Sequence, residues 1–159
     1  MRRLFSIIFL VCILVLISTH LYAAPKVQFR DFKWGSSIEE VEEALLKGGF
    51  SITVIRSKFK RDASNISYSD TVFGEKAHVK LFFTKETEKL YIIIIKWDSI
   101  KMGTALQKLT EVYGKPQQST DDKNDICIYS WIQDEGEIVL IKEQSRVTMG
   151  YSSMFYYKK

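Results

Sequence analysis

The chain has 159 residues, 46% of them hydrophobic and 26% charged, with a formal net charge of +4. Arg2 and Arg3 supply two of those charges and residues 1–24 hold no acid, so the remainder carries about +2, too balanced for a nucleic-acid binder. Only two cysteines are present, which excludes a disulfide-stapled scaffold.

The N-terminus reads as an export signal. Arg2 and Arg3 precede an apolar run from Leu4 to Ile17, and the small residues Ala23 and Ala24 follow. That layout predicts a signal peptide cut near Ala23. The alternative is an uncleaved inner-membrane anchor over residues 4–24, close to the roughly 20 residues a span needs. The expected layout is a signal peptide over 1–24 and a single α+β domain over 25–159, in a secreted or periplasmic protein. Membrane contact is expected only through an uncleaved N-terminus. A domain of that size buries about two-thirds of its unfolded surface without staples. Cys12 leaves with the signal, so Cys127 is the one remaining thiol.

The next element is a helix over 36–47. Ile38, Val41, Ala44 and Leu45 recur at helical spacing, with Glu39, Glu40 and Glu43 opposite. Ser36-x-x-Glu39 and Ser37-x-x-Glu40 read as overlapping capping boxes, in which hydroxyl and carboxylate satisfy free backbone N–H groups. Gly48 and Gly49 end the helix. The glutamates form a solvated face, with a cation or basic partner as the alternative. The basic run from Arg56 to Arg61 reads as a strand end or loop, with an anionic contact as the alternative.

Strands follow near 51–57 and 65–70. The run 76–84 alternates, with Ala77, Val79, Leu81 and Phe83 on one face. Residues 89–97 are apolar on both faces and β-branched, which suits a central strand. Turns are expected at Gly74-Glu75, Lys85 to Glu88 and Asp134 to Gly136. A second helix is predicted over 104–113, with Leu106, Leu109, Val112 and Tyr113 on one face, a Thr104-x-x-Gln107 box at its start and Gly114 and Pro116 at its end. The last strands are expected near 126–132, 136–142 and 146–152.

A weak repeat connects the halves 29–99 and 100–159. At an offset of 68, Gly35 meets Gly103, Ser36 meets Thr104 and Glu39 meets Gln107. Tyr68-Ser69 and Tyr129-Ser130 each precede a Gly-Glu turn. The expected fold is α+β: two helix-plus-antiparallel-meander halves, with the helices on one face of an antiparallel sheet.

Chemistry-bearing motifs are few. Asp121 to Asp125 lacks the Gly turn and bidentate Glu of a calcium loop. Cys127 alternates with Tyr129 and Trp131, as a buried thiol does; as a nucleophile it would need His78, the one histidine past the signal. No metal and no cofactor are expected. Asn65-Ile66-Ser67 is a glycosylation sequon, relevant only in a host that modifies exported chains. Aromatic residues supply the candidate partner or ligand contacts: Trp34, Trp131, Tyr151, Phe155, Tyr156 and Tyr157.

The opening from Trp34-Gly35-Ser36-Ser37 to Val41, then Tyr113-Gly114-Lys115-Pro116 and Trp131, resembles a group of small exported bacterial proteins. The arrangement is also distantly similar to the small lipoprotein of the outer-membrane barrel-assembly machinery and to the tandem-repeat β-lactamase inhibitory protein. The chain has neither the lipidation cysteine of the first nor the disulfides of the second. The resemblance therefore implies a compartment and a fold type, and no site residue. The expected function is a non-enzymatic binding or assembly protein of the envelope, whose partner is an unknown envelope protein. The alternatives are a carrier of a small hydrophobic ligand, which requires an enclosed apolar cavity, and a cysteine-dependent enzyme.

Overall fold

A computed structural model describes residues 29–57, 63–97, 101–121 and 124–153. The signal-like N-terminus, most of the Arg56–Arg61 run, and Phe155, Tyr156 and Tyr157 lie outside the described residues. In chain order the elements are α1 (Ile38–Lys47), β1 (Ile52–Ile55), β2 (Asn65–Val72), β3 (Glu75–Phe83), β4 (Leu90–Trp97), α2 (Met102–Tyr113), β5 (Gln117–Asp121), β6 (Ile126–Gln133), β7 (Gly136–Glu143) and β8 (Arg146–Ser153). All eight strands form one antiparallel sheet, ordered β1-β2-β3-β4-β8-β7-β6-β5. Sheet dominates the chain, and the element order is a helix and four strands, twice over.

The order reads outward from the β4–β8 pair in both directions, and the register makes this concrete. One continuous row runs Tyr68, Val79, Ile95, Met149, Leu140, Tyr129. A tyrosine flanks each side, with Ile52 and Gln118 beyond them on the edge strands, aliphatic side chains fill the middle, and Val79 to Leu140 are fully buried. Strand alternation puts Ile66, Leu81, Ile93, Trp97, Val147, Tyr151, Ile138 and Trp131 on the same face. These residues share one hydrophobic cluster with Ile38, Val41 and Leu45 of α1 and Ala105 and Leu109 of α2.

The start of α1 is the predicted capping device, in one copy. Ser37 accepts from the Glu40 backbone N–H at 3.2 Å, and Glu40 Oε2 accepts from the Ser37 N–H at 2.7 Å. Glu39 is drawn off to Arg56, so the overlapping Ser36 box does not form. The helix closes with Gly49 at φ 79° and bonds from Gly49 N–H to Leu46 O and Phe50 N–H to Leu45 O. Only glycine adopts that backbone without strain, so Gly49 is required by conformation, while at Gly48 a Cβ would lie 3.1 Å from the Phe50 ring.

Helix α2 departs from expectation. It begins at Met102, two residues early, with Lys101 as an N-cap that makes no side-chain bond. Thr104 lies inside the first turn and Gln107 bonds Glu111 at 2.9 Å, so the third box is absent. The buried stripe is Ala105 and Leu109, with Met102, Leu106 and Tyr113 partly buried and Val112 exposed. Met102, Ala105 and Leu109 thus stand where Ile38, Val41 and Leu45 stand in α1, an offset of 64. The offset of 68 suggested by glycine matching placed the wrong residues together. Ala44, expected on the buried stripe of α1, is exposed.

Most strands fall where alternation placed them. In β4, Leu90 joins Ile93, Ile95 and Trp97 on the buried face, because a bulge between Phe82 and Phe83 leaves Tyr91 without a register partner. Strand β5 was not expected, and all five of its residues are exposed at the sheet edge. The β2–β3 turn carries Phe73 at φ 55° and Gly74 at φ 85°, the paired left-handed geometry of a tight hairpin.

One ion pair ties the entry segment to the sheet. Arg30 Nε and Nη2 bind the Asp70 carboxylate at 2.7 and 2.5 Å, and the guanidinium lies 5.2 Å from the Phe50 ring centroid. The Asp70 side chain is only 5% exposed, and the Thr71 N–H donates to the same carboxylate at 2.7 Å, so the fork and that N–H together satisfy it.

Candidate functional site

Each strand sends alternate side chains to the face opposite the hydrophobic cluster. That open face divides at the β4–β8 line. On the first half it bears Thr53, Ser67, Ser69 and Thr71, then Lys76, His78, Lys80 and Lys96, with Phe82, Ile92 and Ile94 beside them. On the second half it bears Ile126, Ile128, Ile132, Val139 and Ile141, with Asp121, Glu137, Glu143 and Arg146. Ile132 is 56% exposed and the other apolar residues of this face are partly exposed. The aliphatic side chains of this half are contiguous and partly exposed to solvent.

Register fixes the neighbours. Ser67 pairs with Lys80 and Lys80 with Ile94; Ser69 pairs with His78 and His78 with Lys96. An open cleft of about 420 Å³ is lined here by Ser51, Thr53, Ser69, His78, Lys80 and Lys96, among others. His78 Nδ1 and Ser69 Oγ are 3.4 Å apart, and Lys80 Nζ lies 5.1 Å from the Phe82 ring centroid. Among the described residues no carboxylate lines the cleft, and none pairs with Lys80 or Lys96. Directly across the sheet, Ile94 pairs with Gly150 and Gly150 with Val139. A Cβ built on Gly150 would meet nothing within 4 Å, so the centre of the open face is bare backbone.

The aromatic candidates lie elsewhere. Trp131 is buried, and its Nε1 donates to Gly114 O at 2.7 Å. Tyr151 is buried against Phe29, with ring centroids 5.8 Å apart, and burial pushes its hydroxyl pKa up. Neither offers a surface to a partner; both belong to the hydrophobic cluster. Trp34 is partly buried and packs against that cluster. Tyr68 is likewise buried under Phe50, which raises its pKa first through desolvation and then through the nearby Asp70 charge.

The other sequence candidates are absorbed by local structure. Arg56 bridges Glu39 at 2.7 Å and Glu42 at 2.9 Å, so the acidic face of α1 already holds a cation. That hydrogen bond lowers the Glu39 pKa. Asn124 donates to Asp121 at 2.8 Å and Lys142 to Asp125 at 3.4 Å, which engages both described aspartates of the Asp121–Asp125 segment. Cys127 faces the buried side of β6, while His78 faces the open side of β3, four strands away. No hydrogen-bonded dyad joins them at that separation.

Sequence reading missed Lys80, Lys96, Gly150, Val139 and Ile141. The signal was available: they are the off-phase residues of strands whose in-phase residues were assigned to the core. No family model matches the chain, and comparison with curated proteins and with solved structures gives no significant match. Among the described residues, no helix is long and apolar enough to cross a membrane.

Proposed function

We propose that the chain is an exported, non-enzymatic binding or assembly protein of the bacterial envelope, and that it engages its partner through the open face of its sheet. The observation that carries this reading is the open face itself. It is broad, partly exposed and rich in aliphatic side chains, and among the described residues no helix residue of the hydrophobic cluster lies on it. Export rests on the N-terminal pattern of Arg2, Arg3, the Leu4–Ile17 run and the two alanines.

The proposed architecture is two tandem helix-plus-meander units, joined edge to edge at β4 and β8, with both helices on the buried face. The common burial phase of Ile38, Val41 and Leu45 and of Met102, Ala105 and Leu109 supports it. So does the matching of Tyr68 with Tyr129. Placing both helices on one side leaves the other as continuous sheet. A carrier of a hydrophobic ligand needs an enclosed apolar cavity, whereas the cleft over β2–β4 is open and half polar.

The test is cross-linking in the native envelope. Wild-type protein should yield a discrete cross-linked species. Ile132→Asp and Val139→Asp, folded by circular dichroism, should lose it, while Leu46→Asp on the exposed side of α1 should keep it. Loss with Leu46→Asp and retention with both open-face variants would sink the reading.

A further inference from the structure

We infer that the occupant of the open face is a second copy of this chain, packed sheet on sheet about a two-fold axis that runs along the strands between β4 and β8. This rests on the reading that the open face is the working surface, and names its partner.

Charge is the first argument. Among the described residues, the charged groups on the open face of the first half are Lys76, Lys80 and Lys96, with no carboxylate. On the second half they are Asp121, Glu137 and Glu143, with Arg146 as the one cation. The face is therefore positive on one side of its midline and negative on the other. A two-fold axis along the strands lays the first half of one copy on the second half of the other. It sets β3 over β7 and β4 over β8. From the registers, His78, Lys96, Thr148 and Ile141 lie at one height along the strands. Lys76 then meets Glu143 at the next height, and Lys80 sits one step from Glu137. Each pairing occurs twice by symmetry. An axis across the strands would instead set lysines on lysines.

Shape is the second argument. The axis passes beside Ile94 and Gly150, where the missing side chain leaves room for two sheets to approach. Aliphatic residues lie around it: Ile92, Ile94, Val139, Ile141 and Ile128. Paired sheets of this kind stack about 10 Å apart with interdigitating side chains. Area is the third argument. Six strands of eight or nine residues, about 4.8 Å apart, give roughly 750 Å² of face, close to the roughly 800 Å² per partner of a stable interface.

Sedimentation velocity on the purified protein over a concentration series tests this. Wild type should sediment as a dimer whose dissociation grows with salt, since exposed charge pairs are screened. Lys76→Glu/Lys80→Glu/Lys96→Glu should weaken association at least about tenfold, and Glu137→Lys/Glu143→Lys likewise. Mixing the two variants should restore a dimer, because each supplies the charge the other has lost. Gly150→Lys should give a folded monomer, since the fold has space for its side chain and the interface does not. A wild type that stays monomeric at every concentration overturns the proposal, as does a dimer indifferent to all three variants. If the wild type is monomeric yet the lysine variant loses its envelope cross-link, the second copy is refuted and the open-face reading stands.

Discussion

The two halves of the chain share an order of elements and differ in how each is secured and what each displays. In the first half, α1 has a complete capping box, a glycine-closed end and three buried side chains, and an ion pair from Arg30 to Asp70 ties the entry segment to β2. In the second, α2 has no side-chain cap and buries two residues, Ala105 and Leu109. Its C-terminal end is also closed by a glycine, Gly114 at φ 79° with its N–H on Thr110 O, and is held from outside as well, where Trp131 donates to Gly114 O. Each half also buries one tryptophan that donates to a backbone carbonyl, Trp97 to Val72 at 3.2 Å being the counterpart. The open faces diverge further, one cationic and hydroxylated, the other aliphatic and acidic. The buried phase of the strands preserves a common scaffold, while the exposed phase is free to differ.

That contrast can be broken most forcefully at the tryptophans. Trp97→Ala and Trp131→Ala should each cost about 3–5 kcal/mol, measured by urea unfolding, through lost burial and cavity formation. A loss well under 1 kcal/mol for Trp131→Ala would mean that the second half is not packed as described. Next is Arg30→Ala, which removes the guanidinium fork from the buried Asp70 carboxylate and leaves it the Thr71 N–H. It should cost about 3 kcal/mol, and Arg30→Ala/Asp70→Asn should recover much of that. Equal losses in the single and double variants would show that the pair contributes nothing as a pair.

The helix starts give a smaller and sharper comparison. Ser37→Ala should destabilise by about 1 kcal/mol, whereas Thr104→Ala should fall within about 0.5 kcal/mol of wild type. Equal costs would restore a capping role to Thr104. The smallest effect is electrostatic. Arg56 holds the Glu39 carboxyl below its usual range, so this contribution is present above the unfolded carboxylate pKa and fades as pH falls through the lowered folded value. Arg56→Gln should therefore flatten the acid limb of the stability profile slightly, and an unchanged limb would show that the pair is fully screened.

Much of this fold was legible because strand phase is local information. Ala77, Val79, Leu81 and Phe83 declare a buried face by alternation alone, and Ser37-x-x-Glu40 declares a helix start by spacing. What was illegible depended on non-local contact. Strand β5, Gln117 to Asp121, has no apolar residue and exists because β6 offers an edge. The phase of α2 differs from the expected one because Leu106 and Val112 look more apolar than Ala105, although Ala105 is the residue that is fully buried. Trp131 and Tyr151 were weighed by residue type, but their phase, shared with Tyr129 and with Met149, assigns them to the core. The off-phase positions Lys80, Ile94, Gly150 and Val139 carry the more informative chemistry.

The central claim is that the open face, and not an aromatic surface or a helix, makes the contact. Amine-reactive labelling read by mass spectrometry tests it most directly, comparing dilute purified protein with protein in its native envelope. Lys76, Lys80 and Lys96 should lose reactivity in the envelope while Lys47 and Lys108, on the helices, keep theirs. Protection of Lys47 and Lys108 with unchanged labelling of Lys76, Lys80 and Lys96 would contradict it.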